Sequence, residues 1–181
     1  MHEAEKRGLP NLRRTPEALD QLNSKQSRTL LTKLGIFTKE ELESRYHVRL
    51  ERYVKDMLIE MHTLKEMVDT LVLPASYAYA GTLAAAASQA VQAGIKVVPQ
   101  VEAANEVGRM IETLTANQRE LQAVLDKAEG MHDDLPKQAK LLTSKGADAM
   151  AAVRSCCDAL ELKVADELWP LPKYREMLFP V

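Results

Sequence analysis

Nine apolar or aromatic residues, Leu42, Tyr46, Leu50, Tyr53, Met57, Met61, Leu64, Val68 and Leu71, recur over 29 residues in eight steps. The mean step is about 3.6 residues, the period of an α-helix. Between them lie Arg45, Arg49, Glu51, Arg52, Lys55 and Asp56. The spacing predicts a long amphipathic helix with one wet side. A single rod cannot bury its own stripe, so other helices must cover it. The sequence supplies two. Val101, Ala104, Val107, Ile111, Leu114, Gln118, Leu121, Leu125 and Ala128 mark one face. Leu135, Ala139, Leu142, Gly146, Ala149, Val153, Cys157, Leu160 and Val164 mark another, again 29 residues in eight steps.

Local signals place the ends. Thr15-Pro16-Glu17 reads as a helix start, with Thr15 as cap and Pro16 at the first helical position. Leu19, Leu22, Leu30, Leu31 and Leu34 follow on one helix or two short ones, which Gly35 stops. Thr38-Lys39-Glu40-Glu41 has the form of a capping box. Pro74 removes a backbone donor and should kink or break the long helix. Ala75 to Ala93 is then a second helix or a bent continuation, ending at Gly94. Its small side chains allow close approach, which places it centrally. A further helix begins near Pro99 and ends at Gly130, and Met131 to Pro136 is a loop. Abundant Ala, Leu, Glu, Lys and Met, with only 7 Gly, suit helix throughout. The expected fold is all-α: an antiparallel bundle of four to five helices with an extended Pro/aromatic C-terminal tail.

That tail, DELWPLPKYREMLFPV from Asp166 to Val181, holds the only Trp. Left free, it would expose Trp169, Leu171, Tyr174, Leu178 and Phe179 to water. The expectation is a docking segment. Trp169, Pro170, Pro172, Tyr174, Leu178 and Phe179 are its candidate residues, with both prolines holding the chain extended.

The formal charge of −2 gives no strong field to draw nucleic acid or acidic lipid. Cys156 and Cys157 are helical neighbours about 100° apart, which would strain a bond between them. Reduced thiols, one of them in the core, fit a cytoplasmic protein. MHEAEKRGLP lacks the apolar core of a signal peptide. Thr70 to Ile95 carries no charge over a length that could span a bilayer. It also carries Pro74, Ser76, Gly81, Ser88, Gln89 and Gln92 and lacks a flanking basic cluster. A helix surrounded by other protein is the preferred reading.

Candidate chemistry is sparse. His47 and His62 lie about four helical turns apart, too far to share a metal. His132-Asp133-Asp134 reads as a solvated loop rather than a metal site. Cys156 has no evident His partner, so a structural thiol is favoured. Lys6-Arg7 and Arg13-Arg14 lack the aromatic platform of a nucleic-acid surface. The Tyr46, Tyr53, Met57, Met61 stripe is read as core before groove. No phosphate-binding glycine loop or nucleophile motif is present. The catalytic, cofactor and metal sites assigned from the residues are therefore none.

The two ends carry a resemblance. Glu3-Ala4-Glu5-Lys6-Arg7-Gly8-Leu9-Pro10-Asn11-Leu12, then Thr15-Pro16-Glu17-Ala18-Leu19, resembles a stretch late in type III glutamine synthetases. So do Gly35-Ile36-Phe37, Glu40-Glu41-Leu42-Glu43-Ser44-Arg45-Tyr46, Leu50-Glu51, Tyr53-Val54-Lys55 and Leu73-Pro74-Ala75. Trp169-Pro170-Leu171-Pro172-Lys173-Tyr174-Arg175-Glu176-Met177-Leu178-Phe179 is similar to the end of that family's chains. Pro180-Val181 departs from the pattern. The match runs in order over essentially the whole chain, and the Ala-rich middle adds little to it.

The resemblance implies a region of a large, ring-based homo-oligomer. Such enzymes make glutamine from glutamate, ammonia and ATP with Mg or Mn ions, through a γ-glutamyl phosphate. Their ATP, metal and glutamate ligands lie upstream of the matched region, so no catalytic residue carries over and no cofactor is expected in this chain. The match begins abruptly at Met1-His2. The expectation is a non-catalytic C-terminal fragment that serves folding, assembly or regulation of the oligomer. Residues 1–14 would be a loop continuing from a missing catalytic region, 15–165 the bundle and 166–181 the docking tail. The expected partners are the missing catalytic body and its homo-oligomer, with no nucleic acid and no membrane. The alternative is a free-standing helical-bundle interaction module.

Overall fold

The computed structural model describes residues 2–96 and 98–178. Those residues form an all-α helical bundle. The elements are α1 (His2–Lys6), α2 (Thr15–Leu22), α3 (Lys25–Lys33), α4 (Lys39–Met67), α5 (Leu73–Gln92), α6 (Val98–Glu129), α7 (Leu135–Leu141), α8 (Ala147–Glu161) and α9 (Tyr174–Leu178). Two π-helical turns join α4 to α5 and α7 to α8, at Val68–Val72 and Leu142–Gly146.

The capping box of α4 forms as its residues require. The Thr38 N–H donates to Glu41 Oε2 at 2.8 Å, and the Glu41 N–H donates to Thr38 Oγ1 at 3.1 Å. Gly35 and Gly94 both take positive φ, 64° and 75°, which only glycine adopts without strain. At Gly94 the reversal is closed by Ile95 N–H donating to the Ala90 carbonyl at 2.9 Å.

Pro74 does not break the helix. The Leu73 N–H reaches five residues back, to the Val68 carbonyl. This wider turn precedes the pyrrolidine ring, which then sits in the first turn of α5. Helix runs unbroken from Lys39 to Gln92. Buried Ser76 donates its hydroxyl to the Val72 carbonyl at 2.7 Å, so the π turn is locked by a side chain as well.

The chain divides into two compact units. The first comprises residues 1–59 and 126–146. Its core holds Leu19, Leu42, Leu50, Val54, Met57, Ala128, Ala139 and Leu142. Polar ties surround that core. Tyr46 Oη donates to Asp20 Oδ1 at 2.8 Å, Thr143 Oγ1 to Tyr53 Oη at 2.9 Å, and Gln138 Nε2 to the Ala128 carbonyl at 2.9 Å. Arg14 Nη1 donates to the Thr143 carbonyl. Burial pushes the Tyr46 hydroxyl up to about 12, helped by the bond to Asp20 and its charge.

The second unit comprises residues 60–125 and 147–181. Met61, Val68, Val72, Leu114, Leu121, Leu125, Val153 and Leu160 are its most deeply buried apolar residues. Gln118 Nε2 donates to Asp69 Oδ1 at 2.6 Å. Lys65, one helical turn before Asp69, donates to the other oxygen at 2.7 Å. That bond is the main cause of the lowered pKa of Asp69, and the Gln118 bond adds to it.

Several local expectations shift. The α2 cap is Arg14 rather than Thr15, and its side chain makes no capping hydrogen bond. Asp134 caps α7 by accepting from the Lys137 N–H, so the preceding loop is shorter than Met131 to Pro136 and Pro136 is helical. Asn23 and Ser24 split the Leu19-to-Leu34 stretch into α2 and α3. Helix also forms at His2–Lys6 and Tyr174–Leu178, in segments expected to be loop and extended tail. The largest change concerns α5. Among its residues only Leu73, Ala75, Ser76 and Ala87 are buried, so the Ala-rich helix is peripheral rather than central.

Candidate functional site

The described part of the tail is held at Trp169 and at Lys173 and Arg175. Trp169 is buried, and its backbone N–H donates to the Ala165 carbonyl at 3.2 Å. Pro170 and Pro172 are exposed and Leu171 is half-buried. The Lys173 side chain then folds back. Its ammonium donates to the Val164 carbonyl at 3.3 Å and to Asp166 Oδ1, and it is only 12% exposed. Arg175 Nη2 takes the other Asp166 oxygen. Two cations on one carboxylate hold Asp166 below the usual aspartate range, through the Lys173 bond first and the Arg175 bond second. Leu178 is 56% exposed. Phe179 and the side chain of Tyr174 lie outside the described residues. The indole Nε1 of Trp169 is sealed from solvent with no hydrogen-bond partner.

Of the described tail side chains singled out in the sequence, Trp169 is buried while Pro170, Pro172 and Leu178 are exposed, and sequence reasoning missed the clasp. Lys173 and Arg175 lie seven and nine residues from Asp166. A search for helical pairs at three or four residues does not find such spacings.

The remaining candidates separate. His132 and Asp133 are exposed on the turn after α6, 3.5 Å apart, while Asp134 is committed to capping α7. Among the described residues, no three His, Cys, Asp or Glu side chains converge to hold a metal ion. Cys157 is buried and Cys156 half-buried, both as free thiols. Desolvation pushes the Cys157 thiol up to about 11. Asn117 Nδ2 donates to Cys156 Sγ at 3.3 Å. Cys156 also borders a shallow groove of about 290 Å³ with Glu106, Arg109, Met110, Thr113 and Ser155. Glu106 is held by Lys163 at 2.9 Å. Tyr46 and Tyr53 are half-buried and hydrogen-bonded, while Met57 and Met61 belong to the core.

Two surfaces stand out. The first is α5 with the turn that follows it. From Thr70 to Ile95 no residue is charged, yet Tyr77, Val91 and Ile95 are exposed. Val91 and Ile95 reach 61% and 60%. Exposed apolar groups collected along one uncharged stretch mark an interaction surface. Among the described residues, no helix is long and apolar enough to cross a membrane. The second is a groove of about 560 Å³ along α3, lined by Asn23, Lys25, Arg28, Thr29, Thr32, Lys33 and Lys39.

Comparison with known proteins gives these features a context. A family model described as "Glutamine synthetase C-terminal domain" matches residues 1–91. The chain is 33% identical over 182 residues to type-3 glutamine synthetase of Dictyostelium discoideum, covering 97% of this chain and 25% of that protein. It is 33% identical over 186 residues to a glutamine synthetase of Butyrivibrio fibrisolvens, covering 99% and 26%. It is 28% identical over 183 residues to one from Bacteroides fragilis (strain YCH46), covering 98% and 25%. The chain thus spans about a quarter of the length of the curated relatives it matches. With the family model over its first half and the type-3 likeness along its length, the chain belongs to the glutamine synthetase C-terminal domain family, in its type III branch.

Proposed function

We propose that this chain is the helical, non-catalytic C-terminal part of a type III glutamine synthetase, and that it serves assembly of the enzyme. The whole enzyme would join ammonia to glutamate at the expense of ATP, with Mg or Mn ions. Its nucleotide, metal and glutamate ligands would be supplied by other parts of the subunit. The setting would be the cytoplasm. The partners would be the catalytic body and neighbouring copies in a homo-oligomer. Within this reading, residues 1–14 lead in from the catalytic body, 15–165 form the bundle, and 166–181 form a clasped tail centred on Trp169.

The observation that carries this reading is the uncharged, exposed stretch of α5. A helix in contact only with water gains nothing from exposing Tyr77, Val91 and Ile95. The same residues against a neighbouring protein surface would contribute the buried apolar core of an interface.

An antibody raised against the tail, used on denatured extract from the native cells, tests the proposal. A species about four times the 20.2 kDa of this chain is expected, from its quarter share of the relatives. A species at 20.2 kDa alone would overturn it in favour of a free-standing interaction module. Glutamine formation by the purified chain would overturn the non-catalytic assignment.

A further inference from the structure

The α3 groove collects four cations on one helix face and the start of the next. Lys25, Arg28, Thr29, Thr32 and Lys33 are spaced three, four, seven and eight residues apart along α3, which stacks them on a single side. Lys39, the first residue of α4, borders the same space. Negative charge engages the set at one point, Arg28. Glu43 approaches Arg28 only to 3.8 Å, and Glu41 is bound to the Thr38 amide. Among the described residues, Lys25, Lys33 and Lys39 have no ion-pair partner.

The placement also runs against the helix's own electrostatics. The first turn of α3 has no acidic residue and begins with Lys25, at the end where the backbone dipole is positive. The chain has 26 acidic residues to put there, and α2 and α4 both carry acid in their first turns. Like charge at this end lowers helix stability slightly unless an anion neutralises it.

We propose that this groove binds a small polyphosphate anion. A single phosphate cannot satisfy the set, because Lys25 and Lys33 are separated by about 12 Å of helix, at about 1.5 Å per residue. A di- or triphosphate chain carries several charges along its length and matches that spread. Lysine suits such a ligand as a mobile point charge, and Arg28 adds a bidentate fork. Asn23 and two threonines line the rest of the groove. Thr29 donates its hydroxyl proton to the Lys25 carbonyl at 2.7 Å, and Thr32 donates to the Arg28 carbonyl. Both oxygens therefore retain lone pairs that can accept from a hydroxyl or amino group on the ligand. The shared chemistry is polyphosphate, whether inorganic or carried by a nucleoside. Binding in this groove does not depend on the assembly role of α5.

Isothermal titration of the purified chain at low and physiological ionic strength is the test, with tripolyphosphate, ATP and sulfate as probes. Tripolyphosphate is expected to bind, weakening as salt is raised, and sulfate at least tenfold more weakly. Tighter binding of ATP assigns the nucleoside form; equal binding assigns the inorganic form. Lys25→Gln with Lys33→Gln is expected to cut tripolyphosphate affinity at least tenfold while leaving unliganded Tm nearly unchanged, because the unfavourable cation at the helix start and the favourable one in its last turn are both removed. Unchanged affinity in that variant, or no heat with tripolyphosphate at low salt, would overturn the proposal.

Discussion

Lys173 and Asp166 form an ion pair across seven residues of chain, and the same lysine donates to the Val164 carbonyl. The pair closes a loop around Trp169. Asp166→Asn removes the charge and keeps the shape. The expected result is a lower Tm and red-shifted emission from Trp169, the chain's only tryptophan. The sign of the pH dependence comes from the lowered pKa of Asp166 in the fold. A carboxylate that ionises more readily when folded adds stability above its unfolded value, and this is lost as pH falls through the lower folded value. The Tm gap between wild type and variant should therefore hold steady from pH 5 to 8, in the neutral region well above the ordinary aspartate value of about 3.9. It should close at strongly acid pH. Asp166 is exposed enough that salt should narrow the gap as well.

Trp169 supports the tail by packing, not by hydrogen bonding. Its Nε1 has no partner, and its ring is buried. Trp169→Ala should cost about 3 kcal/mol, the lower end for removing a large buried aromatic. Trp169→Phe should cost clearly less, because it also removes a buried donor whose desolvation goes uncompensated, a term of about 1–3 kcal/mol. Urea denaturation of the two variants measures both. Equal losses would mean that the indole N–H has a partner that matters.

Much of this fold is legible because the apolar period and the glycine and threonine punctuation agree. Seven of the nine face residues read from Val101 to Ala128 are buried in α6, the exceptions being Val101 and Ala104. Thr38, Glu41, Gly35 and Gly94 act where local chemistry places them. The features that escaped reading did so for physical causes. Pro74 would break an α-helix, but a π turn ending two residues earlier opens room that periodicity does not announce. A π turn also rotates the helix beyond it, so Val72 and Leu73 are buried where the stripe pointed to Leu71. Small size made α5 look central, yet alanine is equally compatible with an exposed helix waiting for a partner. The α3 groove was invisible because Lys39 and Lys33 come together only through the turn at Gly35.

The α5 surface should drive association of the purified chain. Val91 near the end of α5 and Ile95 just after the Gly94 turn are both exposed. Light scattering on a concentration series should detect species larger than 20.2 kDa. Val91→Asp with Ile95→Asp should return a monomer. Its Tm should stay close to wild type, since exposed substitutions usually change stability within about 0.5 kcal/mol. Association that survives the double variant would place the contact elsewhere.

The adjacent thiols should differ sharply in reactivity. Cys156 is half-buried at the edge of the Arg109 groove, whereas Cys157 faces the core beside Val153 and Leu160 in the same buried row. Burial holds the Cys157 pKa up to about 11. At pH 8 only about one part in a thousand of such a thiol is ionised, and the thiolate is the form that reacts. Iodoacetamide on the native chain should therefore label one cysteine, located by peptide mass at Cys156. Cys157 should react only when denaturant opens the core, so its labelling rate should track unfolding as urea is raised. Early labelling of Cys157 at pH 8 without urea would mean that α8 opens locally far more often than the rest of its core suggests.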